Sequence, residues 1–127
     1  MVTDIIGDFI IRLKNANIAG KDVVSVYTSK NKTAIADALV RVGYVKSFSN
    51  NGKMLEVVLD YKSDKSPKIT GVQRVSKPSR RVYQKSGDIK PFKNGFGATI
   101  ISTPNGILSN KEAVKQKVGG EILFKIW

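Results

Sequence analysis

Ser102 and Thr103 stand side by side at the end of an apolar run, Ala98-Thr99-Ile100-Ile101, and are followed by Pro104-Asn105-Gly106. Hydroxyls among many lysines raise the idea of a Ser–Lys nucleophile. No spacing fixes such a pair, and the elbow signature Gly-x-Ser-x-Gly is absent. The chain has no Cys and no His, which removes thiolate nucleophiles, disulfides, the usual neutral-pH general base and the commonest zinc ligands. There is no HExxH, no Walker loop and no Rossmann glycine pattern. Gly95-Phe96-Gly97 precedes an apolar strand-like run, whereas a dinucleotide loop follows one. The residues therefore read as those of a non-enzyme that needs no cofactor and no small-molecule substrate. What Ser102 to Gly106 can do is offer hydroxyls and amides to base edges or a 2′-OH, with side chains small enough for close approach. The same five residues could equally form a polar turn.

Two further groups have chemistry suited to a nucleic acid. Arg74, Lys77, Arg80, Arg81 and Lys85 surround Tyr83, and cations around an aromatic ring can hold phosphates while the ring stacks on a base. Val82 alternates with Tyr83, so one of them faces outward; the pattern does not say which. Glu121 follows Gly119-Gly120 in a half of the chain that otherwise avoids acids. Its carboxylate can accept from base amino groups or orient neighbouring cations.

The charge is concentrated where these groups lie. The 127 residues carry a formal net charge of +12. Residues 1–64 hold nine Lys/Arg and seven Asp/Glu, while residues 65–127 hold thirteen and three. A cationic half of this kind suits a polyanion, because each neutralised phosphate releases condensed counterions. Acidic lipid fits less well, since no segment joins a basic face to a broad apolar one at helical period. No apolar run approaches the roughly 20 residues of a bilayer span, and the first residues lack the features of a secretory signal. A sequence-indifferent DNA-compacting protein is the alternative. It explains the charge but neither the small polar segment nor Glu121.

The elements that position these groups follow from local signals. Ile5, Ile6, Phe9, Ile10 and Leu13 mark one face of a helix over 4–16, with Thr3 as N-cap and Asp4 in the first turn. Val23 to Tyr27 predicts a strand. Ser29 caps a helix over 30–42 that stops at Gly43, with Ile35, Ala38, Leu39 and Val42 inward. Two strands then flank a turn at Asn50-Asn51-Gly52. Polar residues 62–68 predict a linker, and with it a division into an N-terminal α+β subdomain, 1–64, and a basic C-terminal subdomain, 65–127. The second is mostly β: strands near Ile69–Val75, Arg81–Tyr83 and Ala98–Thr103, and a last one over Glu121–Trp127. A Ser109-x-x-Glu112 capping box opens one short helix, which Gly119-Gly120 is expected to end. The fold class is α+β.

The run from Ala98 to Trp127 resembles the C-terminal signature of the bacterial-type family of the eighth protein of the small ribosomal subunit. That family carries a Ser-Thr-Ser segment, a capped short helix and Gly-Gly-Glu before the last strand. Residues 73–83 resemble its central segment, and residues 3–16 and 29–45 its two N-terminal helices. The resemblance implies two α+β subdomains, direct binding to the central domain of 16S-type rRNA, a part in assembling the platform, and no catalysis. By position it implies RNA contacts at Ser102, Thr103, Tyr83, Gly119 and Glu121, and places Thr3, Asp4 and Lys30 near the RNA backbone. Neighbouring small-subunit proteins and, in some bacteria, the protein's own operon mRNA are the implied partners. The implied location is the ribosome, in the cytoplasm or in a plastid stroma. The chain departs from the family pattern at Pro104, where a third hydroxyl and its amide are lost, at Ser79 after Pro78, and at Ile5.

Overall fold

The computed structural model describes residues 4–89 and 97–127. The expected N-cap at Thr3 and its implied RNA contact lie outside the described residues, as does a turn expected over Asn94–Gly97, apart from Gly97 itself. The fold is α+β, with two units, Ile5–Gly71 and a second formed by Asp4 with Val72–Trp127.

In the first unit, α1 (Ile5–Ile18) and α2 (Lys30–Val42) pack on a three-stranded antiparallel sheet of β1 (Val23–Tyr27), β2 (Val45–Asn51) and β3 (Met54–Leu59), in the order β1-β3-β2. Strand alternation turns Val24, Val26, Leu55 and Val57 inward, where Phe9, Ile10, Leu13, Ile35 and Leu39 complete the core. Ile5 departs from the expected helical face. It lies in the first turn and stays more than half exposed, while Ala16 and Asn17 extend the buried stripe at the other end. In α2, Ala36 is buried and Val42 only half-buried. Ser29 caps α2 by accepting from the Lys32 amide, and Gly43 stops it in the left-handed region.

The hairpin turn lies one residue further on than the Asn-Asn-Gly pattern predicts. Asn51 pairs with Met54, leaving Gly52 and Lys53 as a two-residue turn. Gly52 alone has positive φ there, the pattern of a type II′ turn. The polar residues 62–68 form a closed loop and not an open tether. Tyr61 bridges Pro67, and Asp64 accepts from the Ser66 amide and hydroxyl. These hydrogen bonds hold the Asp64 carboxyl below the usual range. The buried Asn17 side chain ties the two ends of the region, donating to the Asp60 carbonyl and accepting from the Ile69 amide at 2.8 Å.

The second unit is a five-stranded antiparallel sheet with one helix. Its strands are β4 (Val72–Arg74), β5 (Tyr83–Gln84), β6 (Ala98–Thr103), β7 (Gly106–Ser109) and β8 (Gly120–Ile126). One edge of β8 pairs with β6, which pairs with β7. Its other edge pairs with β4 along one half and β5 along the other. Helix α3 (Asn110–Gln116) opens on the expected capping box, with Ser109 and Glu112 bonding each other's backbone. Ala113, Ile89, Ile101 and Ile122 form a core cluster, against which Val75, Val82 and Val118 pack.

Candidate nucleic-acid interface

Three of the singled-out side chains, distant in sequence, come into one row. Tyr83 lies opposite Glu121 across the β5–β8 pair, and Glu121 lies opposite Ser102 across β8–β6. Directly opposed residues of an antiparallel pair share a face, with Cβ atoms about 4.5–5.5 Å apart. The register thus sets a ring, a carboxylate and a hydroxyl side by side. Their neighbours Val82, Ile122 and Ile101 belong to the opposite face, in the core cluster. The Val82–Tyr83 alternation is resolved by that cluster: Val82 packs beneath the sheet and Tyr83 is 69% exposed.

Gly119 and Gly120 serve this row and not the helix end. The C-cap of α3 is Lys117, itself left-handed at φ 58°. A Cβ on Gly119 would lie 2.3 Å from the Gln84 carbonyl oxygen, and one on Gly120 would lie 2.0 Å from that of Ser102. Both obstacles are backbone. Only glycine lets the start of β8 slide between β5 and β6, so the closeness of the row depends on this pair. Tyr83, Lys85, Asp88 and the two glycines line an open groove beside it.

The cations sit around a tight turn. Lys77 and Arg80 exchange amide–carbonyl bonds at 2.8 and 2.9 Å, closing a two-residue turn at Pro78-Ser79 without positive φ at Ser79. The turn therefore does not require a glycine at position 79. Buried Ser76 anchors it: its hydroxyl accepts from the Val82 amide at 2.8 Å. Lys77, Arg80 and Arg81 are exposed. Arg81 reaches back to Glu121, with Nη1 3.0 Å from Oε2. Hydrogen bonding to Glu121, then its Coulombic attraction, raises the Arg81 pKa above its ordinary value.

Arg74 is placed differently. Its guanidinium is largely buried and donates through Nε to both carboxylate oxygens of Asp4, at 3.0 and 3.1 Å. Nη1 donates to the carbonyl of Leu123, within the irregular part of the β6–β8 register. Arg74 and Asp4 thus engage each other and the sheet. Lys30 is exposed at the start of α2, in the other unit.

Ser102 and Thr103 belong to β6 itself, so the polar segment is strand first and turn second. Only Pro104 and Asn105 lie between β6 and β7, a strand that the sequence reading missed. Thr103 Oγ1 staples the turn, donating to the Gly106 carbonyl and accepting from the Asn105 amide. Pro104 fits here because its fixed φ suits the first central position of a tight turn. Among the described residues no cluster of acids is arranged to hold a metal ion, and no helix is long and apolar enough to cross a membrane.

Comparison with known proteins agrees with this architecture. The family model described as Ribosomal protein S8 matches residues 4–127. The small ribosomal subunit protein uS8 of a Nitratiruptor species is 43% identical, over 100% of both chains. That of Chloroflexus aggregans is also 43% identical, and that of Nocardia farcinica 45%, each over 99% of this chain and 98% of the relative. A family match over residues 4–127 and relatives 43–45% identical over nearly their whole length show that the chain belongs to the ribosomal protein S8 family, RNA-binding structural proteins of the small ribosomal subunit.

Proposed function

We propose that this protein binds the central domain of small-subunit rRNA directly and helps assemble the platform, through the face that carries Tyr83, Glu121 and Ser102. The observation that carries this reading is the cross-strand row of those three residues beside the cationic turn 77–81. In this reading Lys77 and Arg80 supply salt-sensitive attraction to phosphates, while Arg81 is engaged by Glu121. Tyr83 stacks on an unpaired base, while Ser102, Thr103 and Glu121 meet base edges and 2′-hydroxyls. Gly119, an RNA contact by family analogy, keeps the start of β8 close against β5, and Arg74 with Asp4 holds the edge of the sheet that displays them. Thr3 and Lys30 are further backbone contacts by family analogy. Neighbouring small-subunit proteins are partners, and the operon mRNA is a partner wherever it reproduces the rRNA site. The protein acts while ribosome-bound, in the cytoplasm or in a plastid stroma.

The test is affinity for a central-domain rRNA fragment against random duplex RNA and duplex DNA near physiological salt. Specific protein–DNA complexes exceed non-specific ones by about a thousandfold or more, which serves as the yardstick. A preference of that order for the fragment supports the reading. Near-equal affinities that collapse together with salt would overturn it and leave only charge-driven binding of polyanions.

A further inference from the structure

A surface selected only for polyanions gains from every cation it leaves uncompensated. This one does not behave so. Arg81, half exposed at the end of the cationic turn, is neutralised by Glu121 at 3.0 Å. The Glu121 side chain is only 16% exposed, and cross-strand neighbours Tyr83 and Ser102 flank it. A phosphate that approaches Arg81 therefore also meets this carboxylate. The carboxylate repels phosphate oxygens and accepts only from N–H or O–H donors. Duplex RNA turns phosphates outward and keeps its base edges paired, whereas an irregular helix offers unpaired base donors. The two kinds of RNA therefore meet Glu121 with opposite consequences.

We propose that the Arg81–Glu121 pair is a selectivity filter: Glu121 penalises phosphate-dense duplex RNA, and Arg81 holds the carboxylate in the row for unpaired base donors. Arg81 is in this sense a positioning residue, and the pair contributes no net cation to duplex binding. The proposal rests on the reading of this face as the rRNA-binding one.

The experiment compares the full-length wild type with Glu121→Gln, Arg81→Ala and the double variant. Binding to random duplex RNA and to the central-domain fragment is measured across a salt series. Glu121→Gln keeps the shape and releases Arg81. It is expected to tighten duplex binding about threefold or more and to steepen the log–log salt slope by about one. The same variant should weaken the fragment about tenfold. The double variant should return the duplex slope to the wild-type value without restoring the fragment. Thermal unfolding verifies that the variants fold. Should Glu121→Gln prove unfolded, Glu121→Thr, whose side chain suits a strand, carries the same test with the same expected signs. Unchanged or weaker duplex binding by folded Glu121→Gln would overturn the filter while leaving the rRNA-binding reading intact. A wild type with no preference for the fragment would overturn that reading itself, before any variant is compared.

Discussion

Tyr83 projects its ring from β5 while Val82 packs under the same strand, so the two residues can be altered with different consequences. Tyr83→Ala is expected to cost about 1–3 kcal/mol of affinity for single-stranded or irregular RNA, the range of one base–aromatic stack. Its thermal midpoint should scarcely move, because the ring is largely in solvent; titration of the rRNA fragment beside a melting curve checks both. Ser102→Ala removes the hydroxyl at the β6 end of the row. The expected loss is about 1 kcal/mol for the cognate fragment and none for random duplex RNA. A competition assay with both RNAs reads the difference, and equal losses would contradict a base-reading role. Thr103 is the less informative neighbour, since its hydroxyl also staples the turn to Gly106.

At the scale of elements, the interface depends on how closely β8 lies against β5 and β6. Gly120→Ala places a methyl 2.0 Å from the Ser102 carbonyl oxygen, and backbone must move to admit it. A loss of at least about 3 kcal/mol in urea unfolding is expected. Gly87→Ala is the matched control, as nothing lies within 4 Å of its added Cβ. Helix α3 offers the opposite sign. Lys117 occupies a left-handed C-cap at φ 58°, a conformation that costs a side-chain-bearing residue about 1–2 kcal/mol. Lys117→Gly relieves that cost, less the greater backbone entropy of glycine. A net gain of about 0.5 kcal/mol is expected by chemical denaturation.

Across the whole molecule, the absence of His and Cys leaves no side chain with an ordinary pKa near neutrality. RNA affinity at fixed salt should therefore change less than about twofold between about pH 5.5 and 7, while the same affinity falls steeply with added salt. Filter binding over a pH and salt grid separates the two dependences. A marked pH response would contradict this expectation.

Local chemistry made much of this protein legible in its sequence. Helix α2 runs from its Ser29 cap to the Gly43 stop, and the Ser109–Glu112 box opens α3, because caps are satisfied within a few residues. The cationic second half and the lack of His and Cys follow from composition alone, which no fold can alter. Tertiary structure decided what depends on pairing between distant strands. The opposition of residues 83, 121 and 102 is a matter of register, and a slip of one residue would have turned each to the other face. β7 escaped notice because its four residues are a strand only through their pairing with β6. Gly119-Gly120 read as a helix stop because the backbones they admit, at Gln84 and Ser102, are far away in sequence. Arg74 looked like one more free cation until Asp4 and the Leu123 carbonyl came within its reach. Sequence specified which groups this surface has; the register of β5, β8 and β6 decided which of them act together.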